Sequence, residues 1–233
     1  MPTLSRLNPI PQSMRFNTGK YAGKLGLAGL PHQIYLLLGT TFILSLGRNI
    51  AFPYLAIYLT SASASGGLGI DPSIVGFMLM VGGLTSIFAL LFTGSLCDRI
   101  GRRKMMLIYI LPTIFLTLAL SYICTPVQFM LVYAIMGIVG AFYDPAYNAM
   151  IADIVQPERR EEVYGLCYMV NNIGTVIGPL IGGALLLVTS YSFLFLVMTA
   201  FVAAGAVAIS LKIRETNPAK GKGEAVVEKF RGV

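Results

Sequence analysis

The segment Gly94-Ser-Leu-Cys-Asp98-Arg-Ile-Gly101-Arg-Arg-Lys104 joins two long apolar stretches. A helix needs about 20 apolar residues to cross the roughly 30 Å hydrocarbon core of a bilayer, and both stretches are long enough. Counted outward from this segment, the chain contains six such stretches, at residues 34–59, 73–96, 105–123, 127–151, 164–188 and 192–211. The sequence therefore predicts an all-α membrane protein with six transmembrane helices.

The composition of the 233-residue chain supports a location in the lipid bilayer. Hydrophobic residues make up 56% of it and charged residues 12%, against about 25% charged residues in soluble globular domains. The net charge of +7, from 17 Lys and Arg against 10 Asp and Glu, would suit a nucleic-acid binder if the basic residues shared one polar face. They fall instead in short segments without interleaved aromatic residues, so no nucleic-acid partner is expected.

Few residues suited to metal binding or catalysis occur in the chain. Its three cysteines, Cys97, Cys124 and Cys167, stand far apart, and His32 is its single histidine. No pair has the spacing of metal ligands, and the sequence has no Ser/His/Asp or paired-carboxylate constellation. The sequence predicts neither a metal site nor a cofactor, and the protein is not expected to be an enzyme.

The basic residues predict which helix ends face the cytoplasm. Arg48 alone lies inside an apolar stretch; the others fall four in residues 1–33, four in 99–104, two at 159–160 and six in 212–231. The connectors after the first, third and fifth stretches contain none. Because basic connectors stay on the cytoplasmic side, we expect a multi-pass protein of the cell (plasma) membrane with both termini inside.

Two polar segments flank the transmembrane domain at residues 34–211. Residues 1–33 lack the apolar core and cleavage site of a secretory signal, so they are interpreted as a cytoplasmic N-terminal tail. Residues 212–233 are rich in Lys and Glu and have no aliphatic periodicity. We interpret them as a cytoplasmic linker or tail.

The polar segment quoted first closely resembles a signature of the major facilitator superfamily, G-x-L-x-D-R-x-G-R followed by Arg or Lys, in the loop between the second and third helices. Gly94 and Gly101 permit close backbone approach and a tight turn, and an arginine can hold a carboxylate through two parallel hydrogen bonds. The resemblance implies that Arg102 pairs with Asp153 in one conformation and separates from it in the other. A basic loop that only fixes the topology is the alternative. The cytoplasmic gate implied in this way comprises Gly94, Asp98, Arg99, Gly101, Arg102 and Asp153.

The fifth stretch contains Gly174-Thr-Val-Ile-Gly178-Pro179-Leu-Ile-Gly182-Gly183. This is similar to the G-x-x-x-G-P-x-x-G-G pattern of the antiporter branches of the superfamily, the drug/proton antiporters especially. Glycines four residues apart make a smooth face on which a neighbouring helix can pack backbone to backbone, and the proline adds a bend. The resemblance implies antiport, and plain helix packing is the alternative explanation.

Polar residues inside the helices are candidates for a substrate or coupling-ion cavity. Arg48 lies near the middle of the first stretch, where an arginine costs at least roughly 2.5 to 3.5 kcal/mol, so it should face a partner or a water-filled cavity. Asp144 is the other charged residue well inside a stretch. Asn49, Asn171 and Asn172 complete the predicted cavity. The alternatives are a structural ion pair for Arg48 and helix–helix hydrogen bonds for Asn171 and Asn172.

Helices one and four resemble each other. Each has a Gly five or six residues before a Pro, at 47–53 and 140–145. The superfamily is built from inverted repeats of three helices in each six-helix half, which this likeness fits. Many proton-coupled members carry Arg and Gln where this chain has Tyr133 and Met136, and that departure weakens the expectation that protons are the coupling ion.

Taken together, the resemblance implies the N-terminal half of a major facilitator transporter. The expected function is secondary active transport of a small molecule by alternating access, as an efflux antiporter of amphipathic compounds, with protons as the candidate coupling ion. Full members have twelve spans, so we expect a second six-helix unit, either a missing C-terminal half or a second copy in a homodimer. The alternative is a six-span scaffold or regulatory subunit that does not transport.

Overall fold

The computed structural model describes residues 29–63 and 66–217. The chain divides into two units, Met1–Leu30 and Pro31–Val233, and every helix discussed below lies in the second. Most of the two predicted tails, residues 1–33 and 212–233, falls outside the described residues, so both assignments stay predictions.

Seven α-helices form six spans in the described part of the chain, which contains no strand. All six spans are long and apolar enough to cross a membrane, with α4 and α5 together making the fourth. This confirms the predicted all-α, six-span fold. The helices are α1 (His32–Thr60), α2 (Pro72–Ile100), α3 (Arg102–Leu120), α4 (Pro126–Gly140), α5 (Tyr143–Ile154), α6 (Arg160–Leu186) and α7 (Tyr191–Lys212), with a 3₁₀ turn at Pro157–Arg159 before α6.

The fourth span is not the continuous helix predicted over residues 127–151. Helix α4 ends at Gly140, and α5 begins at Tyr143. Pro145 has no N–H to donate to the carbonyl of Ala141, which removes one helical hydrogen bond at this point. The Ala141 N–H still donates to the Gly137 carbonyl four residues back, at 3.3 Å, whereas the Phe142 N–H donates to the Val139 carbonyl three residues back, at 3.1 Å. The proline visible in the sequence therefore divides the span.

Local signals fix several helix ends. The Asp71 side chain accepts a hydrogen bond from the Ser73 N–H at 2.8 Å, which caps α2. Thr125 and Gln128 form a capping box at the start of α4. Gly101 separates α2 from α3 with a φ of 105°, a conformation open to glycine and strained for other residues. A single residue therefore joins α2 to α3.

The packing of the spans has an internal symmetry. The first span packs on the fifth and sixth, the fourth packs on the second and third, and the third packs on the sixth. If spans one, two and three are exchanged with spans four, five and six respectively, the same set of packed pairs results. Such an arrangement is expected of two three-helix repeats of inverted topology.

Three glycines bring α6 directly against α1. A Cβ atom at Gly174 would lie 2.6 Å from Ser45 Oγ, and one at Gly178 would lie 2.6 Å from Asn49 Cβ. At Gly182 it would lie 2.2 Å from the backbone oxygen of Ile50. Any side chain larger than hydrogen would therefore push the two helices apart, so the glycine face identified in the sequence is the contact surface for α1.

Candidate functional site

Two adjoining cavities, of about 550 and 410 Å³, lie between the spans, and Arg48 lines both. Leu44 and Tyr109 are also shared by the two cavities. Arg48 is exposed, and its side chain forms no ion pair or hydrogen bond with any residue in 29–63 or 66–217. The arginine in the first span therefore faces open space and has no structural partner within the described bundle.

The smaller cavity combines opposite charges with aromatic rings. Asp144, at the start of α5, lines it together with Arg48, and the two form no ion pair. The ring of Tyr143 lies 4.9 Å from that of Tyr109 and 5.5 Å from that of Tyr147, measured between centroids. Such a wall offers aromatic surface to the apolar part of a ligand.

The larger cavity is lined by residues of spans one, two, three, four and six. Asn49 lines it beside Arg48, and so do Tyr133 and Met136, the two positions at which the sequence departs from the pattern of the family it resembles. Tyr133 packs closely on α2, where a Cβ atom at Gly82 would lie 2.3 Å from its ring. The residues that replace the usual Arg and Gln therefore lie in the same space as Arg48.

The three candidate asparagines occupy different environments. Asn49 Nδ2 donates to the Ser45 carbonyl at 2.8 Å and to Thr175 Oγ1 at 3.3 Å, so it also joins α1 to α6. Asn171 lines the smaller cavity, and its carbonyl accepts a hydrogen bond from Ser45 Oγ at 2.7 Å. Asn172 lines a separate apolar groove on α6. Successive helix residues point about 100° apart, so the neighbouring asparagines face different directions.

At one end of the bundle Arg102 binds both acidic residues of the predicted gate, Asp153 and Asp98. Its Nε donates to Asp153 Oδ2 at 3.0 Å, and its Nη2 lies 3.1 Å from Asp98 Oδ1. The side chains of Arg102 and Asp153 are 10% and 18% exposed, whereas that of Asp98 is 74% exposed. A shielded ion pair depends strongly on both partners, while an exposed pair contributes about 0 to 1 kcal/mol. The pair with Asp153 is therefore the stronger link.

Glu215 completes this cluster and was not predicted. Its carboxylate accepts hydrogen bonds from the backbone N–H groups of Arg102 at 2.9 Å and Arg103 at 3.3 Å, and so caps α3. A Cβ atom at Gly101 would lie 2.5 Å from Glu215 Oε2, so glycine is also needed for this approach. Glu215 follows the last span, 113 residues from Arg102, and no local pattern points to it.

The remaining predicted gate residues lie on an open surface. Gly94 and Arg99 are exposed on α2. A Cβ atom at Gly94 would meet no atom of the described residues within 4 Å. The close backbone approach expected at both glycines of the motif thus occurs at Gly101 and does not occur at Gly94 within this part of the chain.

Comparisons with known proteins agree on one family. The family model of the Major Facilitator Superfamily matches residues 37–232. A Na(+), Li(+), K(+)/H(+) antiporter of Planococcus maritimus is 31% identical over 166 residues, which are 69% of this chain and 37% of that protein. A multi-drug resistance efflux pump PmrA homolog of Lactococcus lactis is 25% identical over 158 residues, or 68% of this chain and 38% of that protein.

Solved structures show the same fold. A POT family transporter in complex with 5-aminolevulinic acid superimposes with a TM-score of 0.73 and 20% identity, covering 89% of this chain and 46% of that one. The human organic anion transporter MFSD10 gives a TM-score of 0.64 at 19% identity, covering 80% and 49%. The chain spans less than half the length of these relatives.

Proposed function

This chain belongs to the Major Facilitator Superfamily, and from that premise we propose that it forms the N-terminal half of an efflux antiporter of amphipathic compounds. Membership of this transporter family confirms that the chain is not an enzyme. The observation that carries the proposal is the pair of cavities around Arg48. They hold tyrosine rings and two opposite charges, Arg48 and Asp144, that form no ion pair with each other or with any other described residue. Charged residues within a membrane domain mark substrate or ion pathways.

Each part of the cavity has a role in this proposal. The tyrosine wall contacts the apolar part of an amphipathic compound. Arg48 either attracts an anionic group of the substrate or faces the Asp144 carboxylate, which a cation then binds. Asp144 is the site for that cation, whether it belongs to the substrate or is a coupling proton. The second six-helix unit closes the cavity and supplies the other half of the alternating-access movement.

A second candidate function is exchange of monovalent cations for protons. It is favoured by the Planococcus maritimus relative, whose name describes such an antiporter. It is also favoured by the carboxylate of Asp144 in the smaller cavity, which forms no ion pair within the part of the chain that the structure describes. Carboxylate oxygen is a suitable ligand for a hard cation. Both candidates use the same cavity and differ in what occupies it.

Transport by reconstituted protein tests these proposals. The chain is placed in proteoliposomes alone and joined to the C-terminal half of the Lactococcus lactis relative, with ethidium as the amphipathic probe and an imposed pH gradient. We expect gradient-driven ethidium movement in the joined protein. Proton release on addition of Na⁺, without ethidium movement, would favour the second candidate. Correctly folded protein that moves neither probe would favour the scaffold alternative, and activity of the chain alone would identify a homodimer.

Cysteine labelling tests the proposed orientation in the membrane. Cys124 is exposed, whereas Cys97 and Cys167 are buried. Since Cys124 lies in a connector without basic residues, it should react with a membrane-impermeant maleimide in intact cells. Lys104→Cys in a Cys124→Ser background should react only after the membrane is permeabilised. The reverse pattern would place the termini outside, and Cys124→Ser alone is the unlabelled control.

We expect the two acidic partners of Arg102 to differ in their control of the conformational equilibrium. Asp153→Asn leaves a shielded guanidinium without its main partner and should shift the populations by about tenfold or more, since breaking such a pair costs several kcal/mol. Asp98→Asn should shift them less than about fivefold, because an exposed pair contributes at most about 1 kcal/mol.

Spin-label distances between positions 104 and 161 in the joined transporter measure these populations. Glu158→Gln, an exposed acidic residue at the same end of the bundle, is the matched control and should change nothing. Loss of substrate affinity with unchanged distances in either variant would show that these residues act in binding and not as a gate.

A further inference from the structure

We propose that the cleft between the start of α1 and the end of α7 binds the phosphate group of an anionic phospholipid. The cleft has a volume of about 480 Å³ and lies apart from the cavities around Arg48. Its existence and occupancy do not depend on the proposed transport function. Its lining residues are His32, Gln33, Leu36, Leu211, Lys212 and Arg214.

The backbone directs two basic side chains into the same cleft. Helix α7 ends at Lys212, and Ile213 is extended, with φ −87° and ψ 126°. The side chain of Ile213 is buried, at 2% exposed, whereas Lys212 before it and Arg214 after it are exposed. Both of them line the cleft.

A hydrogen bond fixes this extended segment to the first turn of α1. Gln33 Nε2 donates to the backbone carbonyl of Arg214 at 2.8 Å. The bond holds the Arg214 backbone beside His32, which precedes Gln33 and lines the same cleft. The hydrogen bond between the two helix ends therefore brings three basic residues together, namely His32, Lys212 and Arg214.

Among residues 29–63 and 66–217, no carboxylate lines the cleft to neutralise these charges. None of its six lining residues is acidic. The adjacent Glu215 is engaged elsewhere, because its carboxylate accepts hydrogen bonds from the backbone of Arg102 and Arg103. The two fixed cations therefore favour an anion, and a phosphate oxygen can accept charge-assisted hydrogen bonds from both.

The two leucines distinguish a lipid from free phosphate. Leu36 lies one turn into α1 beyond His32, and Leu211, which is 75% exposed, immediately precedes Lys212 in α7. The helices run in opposite directions at this end, so both leucines lie on the membrane side of the basic groups. A phospholipid places its phosphate at the bilayer surface and its acyl chains beneath it, which matches this order of residues.

Native mass spectrometry of the full chain in detergent tests the site. The probes are dioleoylphosphatidylglycerol and dioleoylphosphatidylcholine, added separately at equal concentrations. We expect phosphatidylglycerol to be retained about tenfold more strongly, and Lys212→Gln/Arg214→Gln to reduce this preference to about twofold or less. The matched control, Lys104→Gln, removes an exposed charge near the same end and should keep the preference.

Two further measurements separate the lipid from its headgroup. Leu211→Ser should weaken phosphatidylglycerol retention although every basic residue remains. Inorganic phosphate at the lipid concentration should not displace the lipid. Full preference in the Lys212→Gln/Arg214→Gln variant would overturn the site, as would unchanged retention by Leu211→Ser or complete displacement by inorganic phosphate. Circular dichroism and monodisperse elution confirm that each variant is folded, which is expected because the substituted side chains are exposed.

Discussion

Replacing Arg48 with alanine is expected to abolish transport while the protein still inserts in the membrane. A guanidinium is always charged and is expensive to hold within a bilayer. In this structure the cost is not offset by an ion pair or hydrogen bond to any residue in 29–63 or 66–217, and the side chain lines two cavities. Removing the guanidinium should therefore leave the stability of the folded protein unchanged or increased, and should affect only transport through the cavity.

Arg48→Lys separates two explanations for that loss. Lysine keeps the charge and loses the planar pair of donors. Partial activity of this variant would mean that charge alone matters, whereas no activity would mean that bidentate geometry is required. Transport is measured in the joined protein at matched membrane abundance, with Lys104→Ala as the control for loss of a basic residue outside the cavity. Full activity of Arg48→Ala would refute the assignment of Arg48 to the transport pathway.

The second large effect is expected at Gly182, where α6 touches the backbone of α1. The carbonyl oxygen of Ile50 would lie 2.2 Å from an added Cβ, and a backbone atom cannot rotate away. Gly182→Ala should therefore separate the helices and lower the stability of the protein by about 1–3 kcal/mol, as overpacking does. Alanine has the higher helix propensity, so a loss of stability here would have to come from the contact.

Gly165→Ala is the matched control on the same helix. Its Cβ would meet no described atom within 4 Å, so the substitution should be neutral or slightly stabilising. Thermal unfolding of both variants in the same detergent measures the difference. Equal melting temperatures for Gly182→Ala and Gly165→Ala would mean that α1 and α6 do not make this contact in the protein.

The fold could be predicted from the sequence because a bilayer restricts the possible structures. Six apolar stretches of sufficient length leave few alternatives to six helices, and predicted and observed ends differ by four residues or fewer. The glycine face on α6 could be predicted equally well, because residues spaced four apart lie on one face of a helix. The break at Gly140 was harder to predict, since the sequence shows Pro145 but does not show whether the helix bends or ends near it.

The site residues divide in the same way. The pair of Arg102 and Asp153 followed from the resemblance of the surrounding motif, and the structure places the two groups in contact. The cap that Glu215 provides depends on contact between two helix ends that are distant in the sequence. Tyr109 lines the cavities because of the way α3 packs, and no sequence motif predicts that packing. The sequence alone gave no reason to separate Asn171 from Asn172. The orientation of α6 places Asn171 in the smaller cavity and Asn172 outside it.

Helix α5 carries Asp144 in its first turn and Asp153 near its last. Nine residues separate them, or about 14 Å along the helix axis at 1.5 Å per residue. Under the proposed function Asp144 belongs to the cavity and Asp153 to the gate, and the interruption at Ala141 and Phe142 separates α5 from α4. We therefore expect α5 to move as one rigid rod when the contact between Arg102 and Asp153 breaks. Opening of the gate would then displace the cavity carboxylate directly, without a relay of side chains between them.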